Sequence, residues 1–260
     1  MKKKLYVLAL FFCVSMVLAT PVKVAMLGDR NRCDILVAEL SSDANIELLE
    51  RTEINKILTE HQLNEHQLTA GTITRYFPHT DIFAFVTEER LVVFNAKNGF
   101  RLYDGKAENT AKVMRLSIQK IAVKYPLCLS IVTVRDVGVP KRLKPKIEAT
   151  VALLEQKLML HPEIQMLERA RLGAVANERV LSDKQFTLAP SARLLTLEFA
   201  PGSEVEIIDG KVLIHNIKRK EVGRVEFSYV PKDVDKTVAD LSEKILMMLI
   251  HGLTTVASAE

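Results

Sequence analysis

Two stretches of this chain, 118 positions apart, are near copies of each other. Ile46–Leu63 reads IELLERTEINKILTEHQL, and Ile164–Leu181 reads IQMLERARLGAVANERVL. Ile46, Leu49, Glu50, Arg51, Glu60 and Leu63 recur as Ile164, Leu167, Glu168, Arg169, Glu178 and Leu181. The apolar positions Leu48, Ile54 and Ile57 recur as Met166, Leu172 and Val175. Self-similarity at a fixed spacing marks a repeated structural unit. Whatever fold the chain adopts must build the same strand and helix twice.

The hydrophobic pattern extends the repeat outward. Val22–Leu27 is an apolar run ending at Gly28-Asp29 and reads as a buried strand. Arg32–Leu40 carries Ile35, Leu36 and Leu40 in helical register, Ile46–Leu49 is a short strand, and Arg51–His61 is a helix. A strand, a helix and a strand of these lengths imply a right-handed parallel crossover. Asp81–Val86, Leu91–Asn95 and Phe100–Tyr103 form a meander, with Asn98-Gly99 in one turn. Glu108–Tyr125 then places Met114, Ile118, Ile121 and Tyr125 on one helical face, and Pro126 stops it. The second half runs in the same order. Leu127–Val134 is a strand, Ile147–Leu160 a helix, and Ile164–Leu167 with Arg169–Arg179 the copied pair. Leu194–Phe199, Lys211–Ile217 and Val222–Tyr229 are strands, with turn signals at Pro201-Gly202 and Asp209-Gly210. Asp235–Leu249 is the closing helix.

The reading is an α/β (α+β) protein of two tandem modules, 20–126 and 127–260, packed through their apolar helix faces. Each is a two-layer or three-layer unit with a mixed sheet in β-α-β-α-β-β-(β)-α order. Local chemistry agrees with the alignment. Asn64 and Gln67 fit a capping box after the first copied helix, and Ser182 and Gln185 fit one after the second. Leu63 with Leu68, and Leu181 with Phe186, occupy the staple positions.

Residues 1–19 read as a secretory signal, with Lys2, Lys3 and Lys4 before the apolar run Leu5–Leu18 and cleavage expected before Thr20. The apolar run is too short for a comfortable membrane span, so no integral span is expected after cleavage. The chain has 36 basic and 32 acidic residues, and losing the three leader lysines leaves 33 basic. A nearly neutral protein lacks the clustered positive charge that nucleic acid requires. The local exception, Lys141-Arg142-Leu143-Lys144-Pro145-Lys146, reads as a solvated connection. Cys13 leaves with the leader, and Cys33 and Cys128 remain as a candidate disulfide between the modules, which the sequence leaves open.

Few residues invite chemistry. The repeated Glu-Arg sits where a parallel strand hands over to a helix, a place where crevices form. Arg51 and Arg169 can grip an anion there. Alternatively each locks its corner by pairing with Glu60 or Glu178, or with backbone carbonyls. Recurrence in both copies favours the lock. His61, His66 and His79 are close in sequence, but His61 and His66 are five apart across a helix break, unlike the i, i+4 pair of a zinc helix. No metal, cofactor or catalytic residue is therefore assigned. The chain carries no glycine-rich phosphate loop and no G-x-S-x-G elbow.

The segments LLERTEINKILTEHQL and MLERARLGAVANERVL resemble the signature of the CsgG family of curli assembly and transport proteins. The general plan is similar to the N-terminal α/β domain of TolB. The resemblance implies an exported, periplasmic or outer-membrane-associated protein that binds or assembles envelope components without catalysis. Its partners would be other envelope proteins, with self-association and peripheral outer-membrane attachment among the expectations. Two departures stand against a secretion pore. No lipid-anchoring cysteine follows the leader, and the candidate hairpins read as shorter or less regular than the nine to eleven residues a spanning strand needs. A ring-forming outer-membrane secretion component is the alternative within this architecture, and a periplasmic hydrolase is the alternative from another class.

Overall fold

A computed structural model describes residues 20–61, 70–123, 126–167, 192–204 and 206–257. The first half contains β1 (Val22–Gly28), α1 (Arg30–Leu40), β2 (Ile46–Leu48), α2 (Arg51–Glu60), α3 (Ala70–Tyr76), β3 (Ile82–Val86), β4 (Arg90–Asn95), β5 (Arg101–Lys106) and α4 (Thr110–Ala122). The second contains β6 (Leu127–Asp136), α5 (Lys144–Met159), β7 (Ile164–Met166), β8 (Arg193–Pro201), β9 (Ile208–Asn216), β10 (Glu221–Tyr229) and α6 (Val234–Ala257). The protein is mixed α/β, and its ten strands form one sheet in the order β10-β9-β8-β6-β7-β5-β4-β3-β1-β2.

That order is one pattern used twice. β1 pairs in parallel with both β2 and β3, and β3, β4 and β5 follow as an antiparallel meander. β6 likewise pairs in parallel with β7 and β8, and β8, β9 and β10 form the second meander. Backbone bonds repeat in detail. Val22 N donates to Asn45 O, Ile46 N to Asp43 O and Leu49 N to Val24 O; Leu127 N donates to Glu163 O, Ile164 N to His161 O and Leu167 N to Leu129 O.

The expectation that the modules meet through their helix faces fails. Most of each helix face covers its own half's sheet: α1 and α4 bury Cys33, Leu36, Leu40, Val113 and Met114 against Val24, Met26, Ile82 and Val93, and α5 reaches across to β5 of the first half. The halves instead join edge to edge, with β5 running antiparallel to β7 and Arg101 opposite Met166. On the other face of the first half, Ile54 and Leu58 of α2 and Ile73 of α3 cover Ala25, Leu27 and Phe83. In the second half, α5 and α6 bury Ile147, Leu154, Val238 and Ile245 against Leu195, Leu197, Val212 and Val225.

Three local readings change. Asp209-Gly210 is no turn but lies inside β9, because the Phe227 ring crosses Gly210 so closely that a Cβ there would meet Cζ at 2.1 Å. With that stretch absorbed, β8, β9 and β10 each run nine residues, longer than the sequence suggested. Lys141–Lys146 is solvated apart from buried Leu143, but it is helical rather than a loop: Lys141–Leu143 forms a 3-10 turn and Lys144 opens α5, its Nζ 2.5 Å from Asp136. Proline at the second position of α5 suits a helix start, where its missing N–H costs nothing. The buried stripe of α4 is also rotated from the expected one, running through Val113, Met114, Ser117 and Lys120.

β1 ends on a residue that only glycine fills. Gly28 has φ +113°, and a Cβ there would lie 2.0 Å from Val86 O. Gly138, after β6, is also at positive φ (+72°), but its nearest neighbour would be 3.8 Å away. Gly28→Ala is expected to cost at least about 2 kcal/mol of unfolding free energy in urea, and Gly138→Ala only the strain component, about 1 kcal/mol. Equal losses at the two sites would contradict the close approach of β1 and β3.

Candidate functional site: the repeated corner, the seam and the sheet ends

In the first copy of the repeat, Arg51 anchors a corner. Arg51 opens α2 immediately after β2, and its Nη2 donates to Gly28 O at 3.1 Å. The side chain therefore ties the start of α2 to the end of β1. Of the alternatives the sequence left open, the backbone carbonyl is the partner. Glu60 lies 3.9 Å from Lys56, one turn back on an exposed face. Glu50 is the N-cap residue of α2 but caps no N–H with its side chain; Thr52 Oγ1 donates to its Oε2 at 3.2 Å. Arg51 Nη1 is buried and finds no acceptor among the described residues. The second copy's Glu168, Arg169 and Glu178, and the capping residues Asn64, Gln67, Ser182 and Gln185, lie outside the described residues.

The histidines do not converge. His61 ends α2 and stacks on Tyr76, with ring centroids 4.3 Å apart, His79 is exposed, and His66 lies outside the described residues. Cys33 and Cys128 are both buried and are not joined in a disulfide; they lie in separate clusters. Cys33 packs under α1, whereas Cys128 alternates with Leu127 and Leu129 and so points to the opposite face of the sheet. The disulfide expected as a candidate is thus not formed. Burial pushes the Cys128 thiol up to about 11.

What sequence reasoning missed is the seam between the halves. Lys120 of α4 is wholly buried there. Its Nζ donates to Leu102 O of β5 at 2.8 Å and to Met159 O at the end of α5. Its own carbonyl accepts from Gln165 Nε2 of β7 at 3.1 Å. One residue therefore touches both strands of the seam and the helix behind it. A lysine offered no sequence signal for this, since it reads as part of a solvated face. Beside it, Asp104 accepts from Arg90 Nε at 2.7 Å and Nη2 at 2.8 Å, and from Arg101 Nη1 at 2.5 Å. Arg101 also lies 3.8 Å from Glu155 of α5. Burial raises the Asp104 carboxyl pKa, but the two arginines outweigh it and hold the group below its ordinary value.

The two ends of the sheet are β2 and β10. Beside β10, Val222, Met247, Met248 and Ile250 are exposed, the first two by 51% and 59%. Beside β2, Val37 of α1 is exposed. No protein-family model matches this sequence, and no curated protein matches it significantly. The class of protein is therefore given by its own architecture: a single mixed α/β sheet in which one five-strand connectivity occurs twice.

Two predictions follow from the corner and the seam. Arg51→Ala is expected to lower stability by about 1–3 kcal/mol, the worth of a charged hydrogen bond, measured by urea denaturation; an unchanged midpoint would reverse the corner-lock assignment. Burial pushes the Lys120 ammonium down to about 7, with Glu163 opposing. Its folded pKa lies below the unfolded value of 10.5, so the unfolded chain binds more protons between these values. Stability should rise with pH across that window, by about 2 kcal/mol from pH 7 to 9, and fall away as pH drops. Above pH 9 the raised Cys128 pKa works in the opposite direction, which sets the upper limit of the test. Lys120→Met should flatten the rise; an equal rise in that variant would remove Lys120 as its source.

Proposed function

We propose that this chain is an exported, non-catalytic binding and assembly protein of the cell envelope, which docks other proteins through the ends of its sheet. The export component rests on the leader at residues 1–19, and the assembly component on the resemblance carried by the repeated LER segments. The single observation that carries the docking reading is the α6–β10 end. There β10, the outermost strand among the described residues, carries exposed Val222, and α6, packed against it, exposes Met247, Met248 and Ile250. Exposed apolar side chains beside an outermost strand mark a protein-interaction site.

The electrostatics fit a structural rather than a catalytic surface. Asp136, Glu198 and Glu221 are each held below the ordinary carboxylate range, first by a hydrogen bond from Lys144, Lys211 and Arg224 respectively. Glu198 is bracketed by Arg135 at 3.3 Å and Lys211 at 3.0 Å, across three neighbouring strands. A general acid needs the opposite displacement. These pairs fix the sheet's polar face instead.

Photo-crosslinking in intact cells from a probe at Met247 should capture discrete, reproducible species in the envelope fraction. The same probe in a Met248→Glu background should lose them while the protein remains folded. Capture that is unaffected by Met248→Glu, or a protein retained in the cytoplasm, would contradict this reading.

A further inference from the structure

The seam inside the chain is a template for a contact between chains. It joins a meander edge, β5, to a crossover edge, β7. Because the same connectivity occurs twice, the two ends of the sheet, unpaired among the described residues, are the matching pair: β10 is the second meander edge and β2 the first crossover edge. We infer that a second copy of this chain docks β10 and α6 of one molecule against β2 and α1 of the next, head to tail, repeating the β5–β7 seam. The inference rests on the docking reading above and names the partner as another copy.

The correspondence extends to single residues. β7 shows its outward backbone groups at Ile164 and Met166, because Glu163 O and Leu167 N are the groups bonded to β6. In β2, Asn45 O and Leu49 N are bonded to β1, which leaves Leu48 facing outward as Met166 does. Both meander edges carry a bulge at the same place. Phe94 pairs with Arg101 and Val93 with Tyr103, skipping Leu102. His215 pairs with Glu221 and Ile214 with Gly223, skipping Val222. A bulge commonly protects an edge from pairing, but β5 carries it and pairs nonetheless. Arg101, which faces Met166, therefore corresponds to Glu221, and Leu48 to Met166.

The charges are transposed without being lost. Arg101 is balanced by Asp104 three residues on, at 2.5 Å; Glu221 is balanced by Arg224 three residues on, at 3.1 Å. Each edge brings its own counter-charge to the contact. Behind the strands the polar partners become apolar. Lys120 reaches the bulge at Leu102; in the second half Met248 lies there, its Sδ 3.4 Å from where a Gly223 Cβ would be. Glu155 of α5 corresponds, at the 118-residue spacing, to Val37 of α1. Lys120 is buried by the neighbouring half, whereas Met248 and Val37 are exposed, by 42% and 38%. Met248 is open where Lys120 is wholly buried, and Val37 is exposed where Glu155 is half-buried. A contact between unlike edges cannot be satisfied by a two-fold pair, so it builds a ring or an open filament according to the rotation at each joint.

The test uses purified protein alone, so self-association can fail while capture of other envelope proteins stands, and the reverse. Light scattering of the unmodified chain should show multimers that grow with concentration. Leu48→Pro removes an outward N–H from the β2 edge; Val222→Lys with Met248→Glu blocks the β10 edge. Each variant by itself should be monomeric, and an equimolar mixture should form a dimer that grows no further, since one good edge of each kind remains. Should Leu48→Pro not fold by circular dichroism, Leu48→Cys mixed with Glu221→Cys should crosslink between copies under oxidation. A monomer at every concentration, a β2-edge variant that still self-associates, or no Leu48–Glu221 crosslink would each overturn the inference.

Discussion

The architecture depends on one buried ammonium group. Lys120 sits where α4, β5 and the end of α5 come within reach of its one side chain, and it donates to carbonyls on both sides of the seam. Burying a charged amine is costly unless its donors are met. Two carbonyls accept from two of its three N–H groups, and the second of them does so only if the halves stay together. Strand pairing at the seam is short, with one register pair between β5 and β7. The side chains around it, Lys120 with Gln165 and Arg101 with Asp104 and Glu155, therefore carry much of what fixes the two halves in one sheet.

The rest of the fold follows from how each half uses its surfaces. Among the described residues the amphipathic helices mainly cover the sheet of their own half, with α5 also reaching β5 across the seam. The remaining unsatisfied surface in each half is backbone, at the outer strands. Edge pairing resolves it once, inside the chain, and leaves β2 and β10 with the same requirement. Short strands, a bulge and self-balanced charges temper those edges. Exposed Met247, Met248 and Val222 do not, and that combination is what makes the ends of the sheet the candidate site.

Much of the architecture was legible in the sequence because it is periodic. Apolar runs and helical spacing give the strands and helices, and the near copies at Ile46 and Ile164 announce that one connectivity is used twice. The corner role of Arg51 was legible too, since a residue recurring at a strand–helix handover in both copies is more economically explained by geometry than by chemistry. The errors have physical causes. Asp209-Gly210 carries a turn's composition, but Phe227 needs a glycine beneath its ring. The stripe of α4 was misplaced because Lys120 was counted as solvated. The joint itself was illegible, since edge pairing is made by backbone groups that every residue carries. Cys33 and Cys128 looked like a staple only while the faces of the sheet were unknown.

Amide hydrogen exchange on the dilute protein tests the central claim most directly. If the seam joins the halves into one cooperative sheet, the segment Ile164–Met166 and the start of β5 should exchange as slowly as the cores at β3 and β8. The equivalent segment Ile46–Leu48, at the open end, should exchange faster at its outward N–H of Leu48. Fast exchange at Met166 with both cores still protected would show two independent halves and contradict the account.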